Sequence, residues 1–298
     1  MLKTSVIIED LDDLQKFRLT LHQIKAAGFD AVDPALFTPG IVRIIESPDG
    51  TDHAAELGRM IEDAGLFIGQ CHTALCSAPD EWERVIEVTK KTLPFAAKMG
   101  ARFPVVHPIC PLTYEDPLFR SSAGEIFELN RKMFRQLVPI AEDLGMNILI
   151  ENLFADGPDR DALPCWSTYA AELDQLIDAF PGLYICLDSG HAAITGQEPA
   201  DLVYQLGSRI KALHLHGNDR VQDLHLTPFE TADMGWEPFC GALRDIGYLG
   251  TINLEVLSAV RQTPVPVRPG LYTYLHACAE WLVRLTESPG QKTEMQRK

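Results

Sequence analysis

The sequence predicts a single (β/α)8 barrel. Eight short apolar runs alternate with eight longer segments of helical period across the 298 residues, the size such a barrel needs. Runs such as NILI at 147–150 and YICL at 184–187 are almost continuously apolar, as parallel strands covered on both faces are. No Gly-x-Gly-x-x-Gly follows the first run, which leaves the competing doubly wound dinucleotide fold without support.

In chain order, a strand is expected over 4–9 and a helix over 11–28, closed by Gly28. Strand 29–37 precedes helix 52–65, and strand 66–73 precedes helix 80–100, where Pro94 is a kink point. Strand 102–109 leads to helix 121–145. The rhythm continues with strand 146–153 and helix 167–180, then strand 183–192 and helix 199–207. Strand 209–219 with helix 237–247 and strand 250–257 with helix 271–287 complete it. No linker, repeat or low-complexity segment divides the chain, so 1–288 reads as the barrel and 289–298 as a frayed tail.

Composition bounds the partners. The net charge is −16, and nucleic-acid affinity draws on Lys and Arg meeting phosphates, so DNA and RNA are poor expectations. No apolar run reaches the ~18 residues of a membrane span. The N-terminal stretch turns acidic at once and carries no apolar secretory segment. Seven cysteines (Cys71, Cys76, Cys110, Cys165, Cys186, Cys240 and Cys278) are scattered without a CxxC pair, and read as reduced thiols of a cytoplasmic protein. No helix shows a clear exposed apolar stripe, which leaves a homo-oligomer open.

Active sites of such barrels lie at the C-terminal strand ends. There the third strand offers His72, the fourth His107 and the fifth Glu151. The sixth offers Asp188 and His191, the seventh His214 and His216, and the eighth Glu255. A further Asp223 and His225 follow the seventh. Each alone has a plain structural reading: a hydrogen-bonded histidine, or an aspartate capping a turn. Together, six strand ends converge on one mouth, and buried charge is costly unless paired or bound to metal. Carboxylate and imidazole suit Mn, Mg, Co or Zn ions. His214 and His216 are two apart and point the same way, so His216, nearer the mouth, is the expected ligand and His214 a structural layer beneath it. Asp33 either binds substrate or caps a turn. Trp166, Trp236 and Phe37 either wall the site or pack their loops. Loops 154–166 and 220–236 are long enough to act as lids.

These residues resemble the xylose isomerase-like TIM-barrel superfamily of sugar (phosphate) isomerases, epimerases and endonuclease IV-type enzymes. The matching motifs are IEN at 150–152, LDSGHA at 187–192, HLHGND at 214–219, DLHLTP at 223–228 and NLEV at 253–256. The first half matches through CHT at 71–73 and VVHP at 105–108. The resemblance implies a divalent metal held by Glu151, Asp188, His216 and Glu255. It implies proton exchange with a sugar by Glu151 and Glu255, and sugar contacts from His191 and Arg220. His72, His107 and Trp166 join as substrate-side candidates. The related ketose epimerases carry one more Glu where this chain has Gly157, with Asp156 and Asp159 nearby. The endonuclease IV type binds three zinc ions through nine residues. Counterparts occur here in order: His72, His107, Glu151, Asp188, His191, His216, Asp223, His225 and Glu255. The expected function is therefore a metal-dependent isomerase or epimerase acting on a sugar or polyol. A multinuclear zinc phosphodiesterase and a polyol dehydratase are the alternatives.

Overall fold

The computed structural model describes residues 1–75, 81–231 and 234–288, the side chain of Arg160 excepted. Cys76, the start of the helix expected from residue 80 and the tail 289–298 lie outside the described residues. The first half runs β1 (Lys3–Ile8), α1 (Leu14–Ala27), β2 (Ala31–Pro34), α2 (Pro39–Ile45), α3 (Gly50–Asp63), β3 (Phe67–Ile68), β4 (Cys71–His72), α4 (Trp82–Met99), β5 (Pro104–Val106) and α5 (Ala123–Asp143). The second runs β6 (Ile148–Glu151), β7 (Ala155–Asp156), β8 (Ala162–Leu163), α6 (Ala170–Ala179), β9 (Leu183–Asp188), α7 (Ser189–Ile194), α8 (Pro199–Leu206), β10 (Ile210–His214), α9 (Trp236–Asp245), β11 (Thr251–Leu254), α10 (Leu257–Gln262) and α11 (Arg268–Glu287).

The barrel strands pair in parallel, in the orders β11-β1-β2-β3 and β10-β9-β6-β5-β4. Two parallel bridges, Ala35 with His72 and Leu215 with Leu254, join these sheets into the closed (β/α)8 barrel. The third expected strand is split. β3 pairs with β2 and β4 with β5, and between them Gln70 is turned into the barrel, where it bonds Asp33 at 3.0 Å and the Leu213 carbonyl at 3.3 Å.

Strand parity sorts the side chains. Ile148, Ile150, Ile185, Leu187, Leu213, Ile252 and Leu254 belong to the large core shared with the helices. The alternate residues Val105, Leu149, Cys186 and Ala212 form a separate apolar cluster. Continuing that second register by two residues reaches Glu151, Asp188 and His214.

Helix ends follow their local chemistry. Asp13 caps α1, accepting from the amides of Gln15 and Lys16 at 3.1 Å, and Gly28 ends it at φ 112°. Ser122 and Glu125 form a capping box on α5. Two expectations are corrected. The strand expected over 183–192 stops at Asp188, whose carboxylate accepts the His191 amide at 2.7 Å and starts α7. The strict eight-by-eight alternation is interrupted by the short helices α2, α7 and α10. The loop at 154–166 is not structureless either: it carries the β7–β8 hairpin. Among the described residues no helix is long and apolar enough to cross a membrane, and the six described cysteines are buried.

Asn130 on α5 holds the segment that follows β5. Its amide donates to the Ile109 carbonyl at 2.8 Å, and its oxygen accepts the Ile109 amide at 2.7 Å. Asn130→Ala strands both backbone groups in the core. The expected loss is about 2–6 kcal/mol of unfolding free energy by urea denaturation, at roughly 1–3 kcal/mol for each of the two orphaned groups. A loss under about 0.5 kcal/mol contradicts this assignment.

Candidate metal centre

At the mouth, Glu151, Asp188 and His214 end their strands and Glu255 follows β11 directly. Asn152 locks two of these ends together: its oxygen accepts the Asp188 amide at 2.8 Å and its amide donates to the Asp188 carbonyl at 2.9 Å. Beyond β10 the chain folds back through paired bonds between Gly217 and Leu226, at 2.9 and 3.0 Å. A Cβ on Gly217 would sit 2.3 Å from the Thr227 carbonyl, so this reversal requires glycine. It returns Asp223 and His225 over His216. Gly190 makes room for His216, whose ring would lie 2.1 Å from a Cβ there.

The ligand-type atoms of the described residues fall into five overlapping groups, each within 4.8 Å, and three of them together take in every strand-end His and carboxylate of the mouth. The first is His72, His107 and Glu151. The second is Glu151, Asp188, His214 and Glu255. The third is His191, His216, Asp223 and His225. Glu151 Oε2 lies 3.5 Å from His72 Nε2 and 3.2 Å from His107 Nε2. His214 Nδ1 lies 3.1 Å from Glu151 and 3.3 Å from Glu255. His216 Nε2 lies 3.3 Å from Asp188 and 3.5 Å from Asp223.

Two observations fit these residues to divalent cations. Glu151 Oε2, Asp188 Oδ2, Asp223 Oδ1, His107 Nε2, His214 Nδ1 and His216 Nε2 are buried without a hydrogen-bond partner, facing one another. In addition, His72, His191 and His225 have Nδ1 at the backbone carbonyls of Thr73, Asn152 and Glu255, at 3.1, 2.8 and 3.0 Å. Donation there fixes the tautomer and leaves Nε2 aimed inward, as metal-ligating histidines are held. Cys186 Sγ also lies near Glu151 and His214, but burial pushes its thiol far up, so it is a neutral neighbour.

The ring of opposite charges opposes desolvation. Burial raises Glu151, but His214 and His107 reverse this and hold it well below the usual carboxylate range. Burial likewise raises Asp223, and His225 and His191 bring it well below. Burial prevails at Glu255, which is raised despite His214 and His225. Against the pull of burial, carboxylates lift His191 well above its ordinary value and His225 to about 10. His107, for which burial dominates, is lowered.

A cavity of about 470 Å³ opens over the groups, in the range of small-molecule sites. His72, His107, Glu151, His191, Asp223, His225 and Glu255 reach it, as do Phe37 and Asp156. Several expectations come out differently. His214, not His216, groups with Glu151, Asp188 and Glu255; His216 groups with the returning loop. Trp166 is buried against Phe127, 6.3 Å between ring centroids, and does not line the cavity. Trp236 packs on Phe239 and donates to the Pro228 carbonyl at 2.9 Å. Arg220 is bound to Glu198 at 2.7 Å and lies outside the cavity wall. Asp159 sits in the left-handed turn of the hairpin. Asp33 neither caps a turn nor reaches the cavity: it is buried beneath the centre. Leu75, Phe154, Leu257 and Arg261 also line the cavity and were missed. They carry no pattern beyond standing three to seven residues past strand ends.

Residues 21–271 match the family described as xylose isomerase-like TIM barrel. An uncharacterized protein of Methanocaldococcus jannaschii is 30% identical over 174 residues, 57% of this chain and 56% of that protein. One of Sinorhizobium fredii is 26% identical over 179 residues, 59% and 54% of the two chains. The chain thus spans about half the length of the curated relatives it matches. Among solved structures, a D-tagatose 3-epimerase-like protein has a TM-score of 0.71 at 21% identity, covering 95% of this chain and 98% of that one. A 3-keto-D-glucoside 4-epimerase from E. coli has 0.71 at 15% identity, covering 93% and 100%. A D-psicose 3-epimerase has 0.69 at 15%, covering 94% and 99%. At these identities the likeness is one of fold.

Histidines held above their ordinary range carry protons at neutral pH in the metal-free chain, and an ion needs them neutral. Binding therefore releases protons, and affinity rises with pH. Calorimetric titration with Mn²⁺ in two buffers of different ionisation enthalpy should show at least about one proton released per ion near pH 7. The affinity should be tighter at pH 8 than at pH 6. No release together with flat affinity contradicts the assignment.

Proposed function

The chain belongs to the xylose isomerase-like TIM barrel family, and from that premise we propose that it is a divalent-metal-dependent isomerase or epimerase acting on a sugar or polyol. One observation carries the reading: Glu151 and Glu255, from different strand ends, meet at His214 Nδ1 and both face the same cavity. The neighbours' names, which include 3-epimerases and a 4-epimerase, support that reaction class.

Glu151, Asp188, His214 and Glu255 would hold the ion. Bound there, a divalent cation supplies Lewis-acid polarisation of a carbonyl oxygen. The chain's own residues move the protons. The two glutamates lie 3.1 and 3.3 Å from His214 Nδ1 and both reach the cavity, which places two carboxylates within reach of one bound substrate. One of the two glutamates takes a proton from carbon, and the other returns one to the same or a neighbouring carbon. His72, His107 and His191 face the same space and bind substrate hydroxyls. Phe37, Phe154, Leu153 and Leu257 form its apolar side and exclude water.

A second reading has its own support, since three adjacent ligand groups suit a multinuclear zinc phosphodiesterase. The mouth weighs against it. Among the described lining residues Arg261 is the one Lys or Arg, and its guanidinium is bound to Glu9 at 3.0 and 2.5 Å. That offers no basic rim for a phosphate backbone.

Glu151→Gln and Glu255→Gln should each lower turnover by about 10²–10⁴-fold on a ketose and polyol panel with Mn²⁺ or Co²⁺ restored, the size of a general acid–base contribution. Circular dichroism should stay unchanged. Substantial activity in both variants discards the glutamate pair. Three tightly held zinc ions with phosphodiester cleavage would establish the second reading instead.

A further inference from the structure

Asp33, on β2, is fully buried and lies outside the cavity wall. Its Oδ2 gathers three groups from three other parts of the barrel. Gln70, in the break between β3 and β4, donates its amide at 3.0 Å. Asn253 of β11 does the same at 3.0 Å. The third neighbour is Nε2 of His214, at 3.4 Å. The opposite nitrogen of that ring, Nδ1, is the atom that faces Glu151 and Glu255. The ring is further held by stacking on His72, 5.3 Å between centroids with planes 8° apart. A buried carboxylate thus stands behind the imidazole, on the side away from the centre, and is itself aimed by two amides.

We propose that Asp33 is a positioning residue for the metal centre: its negative charge, 3.4 Å behind Nε2 of His214, favours the ring proton on that nitrogen and so leaves Nδ1 as the lone pair presented among Glu151, Asp188 and Glu255. The inference rests on the reading that this group holds the ion, and adds why His214 serves it. An imidazole shares one proton between two nitrogens, and a fixed negative charge behind one nitrogen biases which is free. The carboxylate also makes the ring a stronger donor. A merely structural Asp33 would staple β2, β10 and β11 together and leave the ion indifferent to its charge.

Asp33→Asn separates the two roles, because an amide oxygen in the Oδ2 position keeps the bonds from Gln70 and Asn253 and removes the charge. Mn²⁺ affinity by calorimetry should fall about 10–100-fold, the usual size for an outer partner of a ligating histidine. The Co²⁺ absorption spectrum at full occupancy should shift, while the metal-free unfolding midpoint stays near that of the parent. Asn253→Ala, which leaves the carboxylate and removes one amide that aims it, should weaken Mn²⁺ less, in the same direction. An Asp33→Asn protein with parental affinity and spectrum overturns the proposal. If that variant does not fold, unchanged affinity in Asn253→Ala overturns it. These readouts need no substrate, so an inactive sugar panel leaves the inference standing, whereas a parent protein that takes up no ion removes both.

Discussion

The molecule is organised around one costly arrangement: four carboxylates and six imidazoles packed at one end of a closed barrel. Removing such groups from water is unfavourable by several kcal/mol each unless opposite charges or a cation take the place of solvent. Every carboxylate of the set, Glu151, Asp188, Asp223 and Glu255, has at least one imidazole within 4 Å. Protons shared between them satisfy the charges partly, and the oxygen and nitrogen atoms left without hydrogen bonds show what that pairing does not satisfy. A divalent ion would complete the balance.

Much of the surrounding structure serves that arrangement. Asp188 divides its two oxygens: Oδ1 caps α7 through the His191 amide, and Oδ2 is left for the centre. The same cap turns the chain sharply enough to bring His191 back over Glu151, 3.4 Å from its carboxylate. Gly190 and Gly217 are glycines because a side chain at either would strike His216 or the returning loop. The β7–β8 hairpin is fastened to the segment after β5 through bonds between Asp156 and the backbone of Leu112 and Tyr114, at 2.9 and 3.0 Å. That fixes one rim of the cavity, and α10 supplies another through Leu257 and Ser258.

The barrel itself was legible because continuous apolar strands and amphipathic helices alternate along the chain, and parity then foretold which strand-end residues face inward. Sequence reasoning says least where the chain leaves regular structure. His214 and His216 share a face, and proximity to the mouth favoured His216. The strand ends at His214, however, and the Gly217 reversal draws His216 toward Asp223 and His225. No local pattern announces that return. The glycine–glutamine pair that splits the third strand was equally silent, although it places Gln70 beneath the centre. Trp166 and Trp236 were ambiguous because an aromatic in a loop can pack inward or face a ligand, and both pack inward. Asp33 reads from sequence as a turn or substrate residue, since its distant partners Asn253 and His214 are invisible until the barrel closes.

Anomalous X-ray diffraction from crystals soaked in Mn²⁺ addresses the centre most directly. The account predicts a peak enclosed by Glu151, Asp188, His214 and Glu255, with His214 contributing Nδ1. Well-ordered side chains pointing apart with no peak among them at saturating Mn²⁺ would contradict it.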